Sequence, residues 1–420
     1  MAKLYPHTTQ KNSMIKKNFW IDISILNLLV VGLLGVVLRS KIVFALPFIN
    51  YNHLLDGHSH FTFDGWVTLV LMVLMVHELL PATRCNNKQY QWLFGSIALS
   101  AWSILITFCL EGNGTLSILF SLIFIFLTYV FSFAFIKDIL KAGSGRHILL
   151  LSISSVICMV LSSAGPLIIA YMYFTKSFEA FLYRDALFTY LHFQYNGFFT
   201  MAIFALLFNH LSKNISAKTQ KNIYRFAISL CISTVPSLFL SYLWQDPNQW
   251  LRLIAVAGSV LLLLTCFAFI ISARSLLSNY LDQKPVIRFL VLLSMSAFLL
   301  KLFLQCFTIF PEIGNAIFGN RPIIMGFLHL VFLGFVSLFI LAFFTKINLL
   351  DGEKTSTKSA LLVFAAAVVL NEALLITQGL ATMFIPGSAL FPWLLWIAAI
   401  CLFLGTILIA IARIQTNKQH

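Results

Sequence analysis

Charge is scarce in this 420-residue chain: only 10% of it is Asp, Glu, Lys or Arg, against 60% hydrophobic residues. A single water-soluble core cannot hide that much apolar surface, so a soluble domain is excluded and a bilayer becomes the solvent. Paired cysteines are lacking too. Cys85, Cys109, Cys158, Cys231, Cys266, Cys306 and Cys401 are scattered, with no Cys-x-x-Cys among them. That removes a disulfide framework, a cysteine zinc site and a covalent c-type attachment point, and leaves buried small hydrophobes as their expected role. Long polar stretches between the apolar runs are absent, so no second, extramembrane domain is expected. Nor is a cleavable signal peptide, because the first apolar run follows a basic stretch, is long enough to span and lacks a small-residue cleavage site.

What is present is a succession of apolar runs. A helix needs about 20 residues to cross roughly 30 Å of hydrocarbon. Twelve such runs occur, at 19–38, 58–80, 90–110, 115–136, 148–174, 189–210, 224–243, 250–272, 287–307, 323–345, 358–378 and 389–412. The sequence therefore predicts an all-α polytopic membrane protein. Residues 1–18 form an N-terminal segment, 19–412 one twelve-helix domain and 413–420 a C-terminal tail.

Basic residues in short loops stay cytoplasmic, which sets the orientation. Most of the 28 fall on one side, among them Lys3, Lys11, Lys16 and Lys17 before the first run and Lys213, Lys218, Lys221 and Arg225 after the sixth. Arg39, Lys41, Lys176, Arg184, Arg252 and Arg321 fall on the other side, and Lys301 within a span. Both termini are expected in the cytoplasm, in a bacterial-type inner membrane. The net charge of +14 then reads as topology and attraction to anionic lipid, with no role in nucleic-acid binding.

The second run opens with unusual polarity, His58, His60 and Asp64 falling within a few residues of one another. From His60 the chain reads His-Phe-Thr-Phe-Asp-Gly-Trp-Val-Thr, ending at Thr68. The pattern recurs from His192 to Thr200 as His-Phe-Gln-Tyr-Asn-Gly-Phe-Phe-Thr, and from His329 to Ser337 as His-Leu-Val-Phe-Leu-Gly-Phe-Val-Ser. Each copy has an aromatic three residues after the histidine, then glycine, a second aromatic and finally Thr or Ser. The copies stand four spans apart, so spans two, six and ten correspond and their histidines lie at similar depth near the outer surface. Glycine beside such a histidine lets a planar ligand or another helix approach the backbone closely.

Twelve spans in three pseudo-symmetric groups of four, with histidines at the outer ends of spans two, six and ten, resemble the catalytic subunit of the heme-copper oxidases. His58-x-His60 followed by Gly65-Trp66 is similar to the His-x-His heme-ligand motif of that superfamily. Size and single-domain layout resemble the NnrS-type heme and copper membrane proteins linked to nitric oxide. The resemblance implies heme b held between His60 and His329 as axial ligands. It also implies copper or another transition metal at His192, with His58 available to complete that site. Tyr190, Gln194 and Tyr195 would orient the rings. Two departures limit the analogy: span seven has no histidine, and span ten has His329 alone, so a full oxygen-reducing site is incomplete.

The implied task is electron transfer, or binding and conversion of a diatomic gas such as nitric oxide or oxygen. Electrons would come from quinol or a separate cytochrome, because the chain has no redox domain of its own. A secondary transporter is the rival from another class, and it predicts a repeat of six spans where four is read. A scaffold or assembly factor keeping only the fold is a third reading. Asp64, one turn after His60 on the same face, is expected to hold that ring or take a heme-linked proton. Lys301 and Glu372, in the outward halves of spans nine and eleven, are expected to pair with each other or meet heme propionates. His53, His77, His147 and His210 read as hydrogen-bonded residues near the surfaces, with His77 a weaker candidate for an inner heme.

Overall fold

The apolar runs fold as helices that continue past the hydrocarbon into their polar flanks. The computed structural model describes residues 7–211, 215–245, 247–384 and 389–418. Lys3 and Lys213, counted in the charge asymmetry above, lie outside them, as do residues 419 and 420. Among the described residues twelve helices are long and apolar enough to cross a membrane: α1 Lys16–Val43, α2 Tyr51–Leu79, α3 Lys88–Glu111, α4 Thr115–Ile139, α5 Arg146–Thr175 and α6 Ala180–Leu211. The rest are α7 Ala217–Trp244, α8 Gln249–Ser275, α9 Pro285–Phe307, α10 Arg321–Lys346, α11 Thr355–Ala381 and α12 Leu390–Asn417. All twelve expected runs are present, and no strand occurs among the described residues.

The helices are longer than the runs that predicted them. The tail expected from residue 413 is helical to Asn417, because Arg413 is buried there and ties α12 back onto α1. Its Nε meets Asp22 Oδ1 at 2.7 Å and its Nη1 donates to the carbonyl of Leu349 at 2.6 Å.

Burial separates the helices into two sets. Over their most apolar windows, α2, α6 and α10 are 83%, 89% and 78% buried, whereas every other span lies between 33% and 56%. The three helices carrying the repeat are thus the inner ones, and the other nine face lipid on one side. Their aromatic side chains meet at the centre: Phe63 and Phe332 lie 4.3 Å apart between ring centroids, and Phe199 lies 6.0 Å from Phe63 and 5.9 Å from Phe332. Each inner helix also changes its winding within the repeat. Thr62–Thr68, Phe193–Phe199 and Leu330–Ser337 are π-helical, each beginning within two residues of its repeat histidine.

A π turn shifts the hydrogen-bond register and leaves carbonyls seeking partners, a cost in a membrane, where water is missing. Side chains, most of them from other helices, fill that need. Asn27 of α1 donates to Gly65 O at 2.6 Å, and Ser294 of α9 donates to Phe335 O at 2.7 Å. In α6, Thr200 donates to Tyr195 O at 2.5 Å and Lys301 of α9 reaches the same carbonyl at 3.4 Å. The glycine of the repeat gives close packing: a Cβ on Gly197 would stand 2.4 Å from Cys158 Cβ, and one on Gly334 would stand 3.2 Å from Ala297 Cβ. What approaches these glycines is a neighbouring helix.

Candidate functional site

The repeat histidines fall into three different environments. His58 and His329 line one cavity of about 400 Å³ between α1, α2, α10 and α11, at the end of α10 that carries Arg321. Gly35, Arg39, Tyr51, Arg321 and Met325 share its wall. His60 lines a second cavity, of about 290 Å³, with Asp64, Tyr190 and Gln194. His192 is fully buried and lines neither.

The division of His58 from His60 follows from helix geometry, since residues i and i+2 project about 200° apart. His329 therefore comes together with His58, and not with His60 as the resemblance implied. Its ring is also oriented. His329 Nδ1 lies 2.7 Å from Met325 O, and because a carbonyl only accepts, Nδ1 carries the proton and Nε2 keeps its lone pair. On the wall of the same cavity, His58 has a buried Nδ1 with no protein partner. Two imidazoles with uncommitted nitrogens on one cavity are a ligand pair of the kind an iron porphyrin takes.

The mouth of this cavity is basic. Arg321 stacks over Tyr51, its guanidinium carbon 5.3 Å from the ring centroid, and donates to the Tyr51 hydroxyl at 3.3 Å. Arg39 approaches from α1. Two guanidiniums suit carboxylates, which they can hold by paired N–H donors. Neither arginine stands out in the sequence by motif, although a signal exists. Both belong to the minority of basic residues expected opposite the basic-rich loops, and each stands near the end of a span that borders the histidines.

The copper assignment at His192 does not fit the donor set. His192 Nε2 donates to Thr234 O at 2.7 Å, and Asn196 Nδ2 donates to Nδ1 at 3.0 Å. Both ring nitrogens are committed to protein, and His58 faces another cavity. Among the described residues no group of three or more His, Cys, Asp or Glu side chains is arranged to hold a metal ion. Thr234 stands on α7 shortly before Pro236, where the helix tightens into a 3₁₀ turn over Phe239–Gln245. The residue that orients His192 is Asn196, one turn along the same helix, and the i, i+4 spacing could have revealed it.

The remaining predicted residues are placed as follows. Asp64 Oδ2 lies 3.8 Å from His60 Nδ1, close enough for charge interaction and too far for a hydrogen bond. The His60 ring stacks on Phe108 at 4.4 Å and stands 6.5 Å from Tyr190. Gln194 donates to Ser162 at 3.0 Å while its Oε1 is buried and unpartnered. Tyr195 turns away to a third cavity and meets Phe327 edge-on at 5.8 Å. Tyr190, Gln194 and Tyr195 therefore do not orient His192 or His58.

Lys301 and Glu372 do not pair. Lys301 is fully buried, donates to Thr200 Oγ1 at 3.1 Å and lies 5.5 Å from the ring centroids of both Tyr195 and Phe335. At the other end of α2, Glu78 bonds Lys17 and accepts from His210 Nε2 at 2.8 Å, which ties α1, α2 and α6 and accounts for His210. His77 Nε2 is buried without a partner beside Phe94.

This arrangement has a known counterpart in three dimensions. A heme-copper terminal oxidase, solved as a dimer by cryo-electron microscopy, aligns over 98% of this chain and 84% of its own with a TM-score of 0.71 and 12% sequence identity. At that identity the likeness shows the fold, an oxidase-subunit-I-like arrangement of twelve helices. No family model matches the sequence. No curated protein matches it either.

Proposed function

We propose that this chain is a membrane heme b protein whose task is electron transfer. The observation that carries the reading is the shared cavity of His58 and His329 with Arg39 and Arg321 at its mouth. A volume of about 400 Å³ falls in the roughly 300–1,000 Å³ range of cofactor pockets. His58 and His329 would hold the group, the Met325 carbonyl would fix the His329 tautomer, and the two arginines would bind the propionates. Bound there, heme supplies a one-electron ferric–ferrous couple.

With an imidazole from each of His58 and His329 to hold it, the group would be better suited to electron transfer than to conversion of nitric oxide or oxygen. The residues of a second metal centre give gas chemistry no support, since His192 has no free nitrogen. Likeness to the NnrS-type proteins rests on size and layout. The transporter reading predicts two halves of six spans, whereas the π-helical segments recur every four spans, on α2, α6 and α10.

An optical spectrum of protein purified from membranes tests the reading. The expected result is a Soret band that sharpens and shifts on reduction with dithionite, in about one heme per chain. Protein that carries no heme and takes none up when hemin is added would leave the scaffold or transporter readings in its place.

A further inference from the structure

A third cavity, of about 360 Å³, lies between α6, α7, α9, α10 and α11, and its wall is apolar except for a few side chains. Two of those are acceptors left without partners. Gln305 is 6% exposed and its Oε1 is unpartnered; Glu372 is 8% exposed, and while its Oε1 accepts from Asn371 at 3.1 Å, its Oε2 is unpartnered. Lys301, one turn before Gln305, is committed to Thr200 and Tyr195 and satisfies neither. An unpartnered carboxylate oxygen inside a membrane domain costs several kcal/mol. Its retention on the same cavity wall as a second orphan acceptor points to a donor-bearing ligand.

We infer that this cavity binds a membrane-dissolved hydroquinone, whose two hydroxyls donate to Gln305 Oε1 and Glu372 Oε2. Three features choose that class. The cavity's outer rim includes Leu304, Ile376 and Leu380, which are 38%, 48% and 53% exposed on the lipid-facing surface, so its entrance is from the bilayer and its ligand is apolar in body. Phe188, Tyr195 and Phe327 line the interior, offering aromatic faces and edges to a flat ring. Two acceptors match two hydroxyls, whereas a fatty alcohol offers one hydroxyl and no ring. Leu375 walls this cavity and the His58–His329 cavity alike, which places the ligand one side chain from the proposed heme. Its service as electron donor rests on the heme reading; its binding does not.

The test is calorimetric titration of the full-length protein in lipid nanodiscs with decylubiquinol kept reduced, and separately with its dimethyl ether, which has the ring and tail but no hydroxyl donors. The expected result is saturable binding of the quinol with one site per chain, weakened about fivefold or more for the ether, the loss corresponding to roughly one hydrogen bond. Gln305→Leu and Glu372→Leu are expected to weaken the quinol similarly and to leave the ether unchanged. Equal affinity for quinol and ether, or no saturable binding, overturns the inference. The comparison of the two ligands on the unaltered chain needs no variant to fold. Because the readout is heat of binding, it is independent of heme content, so its failure and failure of the heme reading are separate results.

Discussion

The indole Nε1 of Trp66 on α2 donates to the hydroxyl of Ser337 on α10 at 3.1 Å. Trp66 is the second aromatic of the first repeat and Ser337 the terminal hydroxyl of the third, so this bond joins two copies of one pattern inside the protein. Interhelical hydrogen bonds of this kind contribute about 0.6–2 kcal/mol in membranes. Trp66→Phe and Ser337→Ala are each expected to lower stability by that order, and the double variant by less than the sum. Thermal unfolding in a single detergent measures all three. Strict additivity would mean the two groups do not depend on each other.

The repeat glycines differ in how tightly they are packed, and their substitutions should rank accordingly. Gly197→Ala sets a methyl 2.4 Å from Cys158 Cβ, while Gly334→Ala meets Ala297 Cβ at 3.2 Å. Overpacking costs about 1–3 kcal/mol. Gly197→Ala is expected at or above the top of that range and Gly334→Ala near the bottom. Equal unfolding temperatures for the two would contradict the packing described.

The twelve spans and the threefold repeat were legible because both are patterns of side-chain type along the chain. The π-helical winding was not, since it is a matter of backbone register and of distant partners such as Asn27, Ser294 and Lys301. Likewise the repeat singled out His60 as the partner of His329 and left His58 to a second metal; only the rotation of α2 about its axis decides which of the two faces α10. Lys301 and Glu372 are two isolated charges at similar depth, and charge alone suggested a pair. The structure gives Lys301 a carbonyl, a hydroxyl and aromatic faces instead, partners that no charge pattern announces.

Both ring nitrogens of His192 serve the fold, one bonded to Thr234 and the other to Asn196. His192→Ala leaves the Thr234 carbonyl and the Asn196 amide without their partner in a buried place, at a cost of about 1–3 kcal/mol. The expected outcome is a less stable protein with unchanged transition-metal content per chain by elemental analysis. Loss of copper or another metal on this substitution would restore His192 as a ligand.

The heme-ligand pair can be tested residue by residue, by electron paramagnetic resonance of the ferric protein in four forms: unaltered, His58→Ala, His329→Ala and His60→Ala. The account predicts a low-spin, two-imidazole signal in the unaltered protein, its conversion to high-spin or loss of heme in His58→Ala and His329→Ala, and its survival in His60→Ala. A low-spin signal that survives in His58→Ala and disappears in His60→Ala would contradict it.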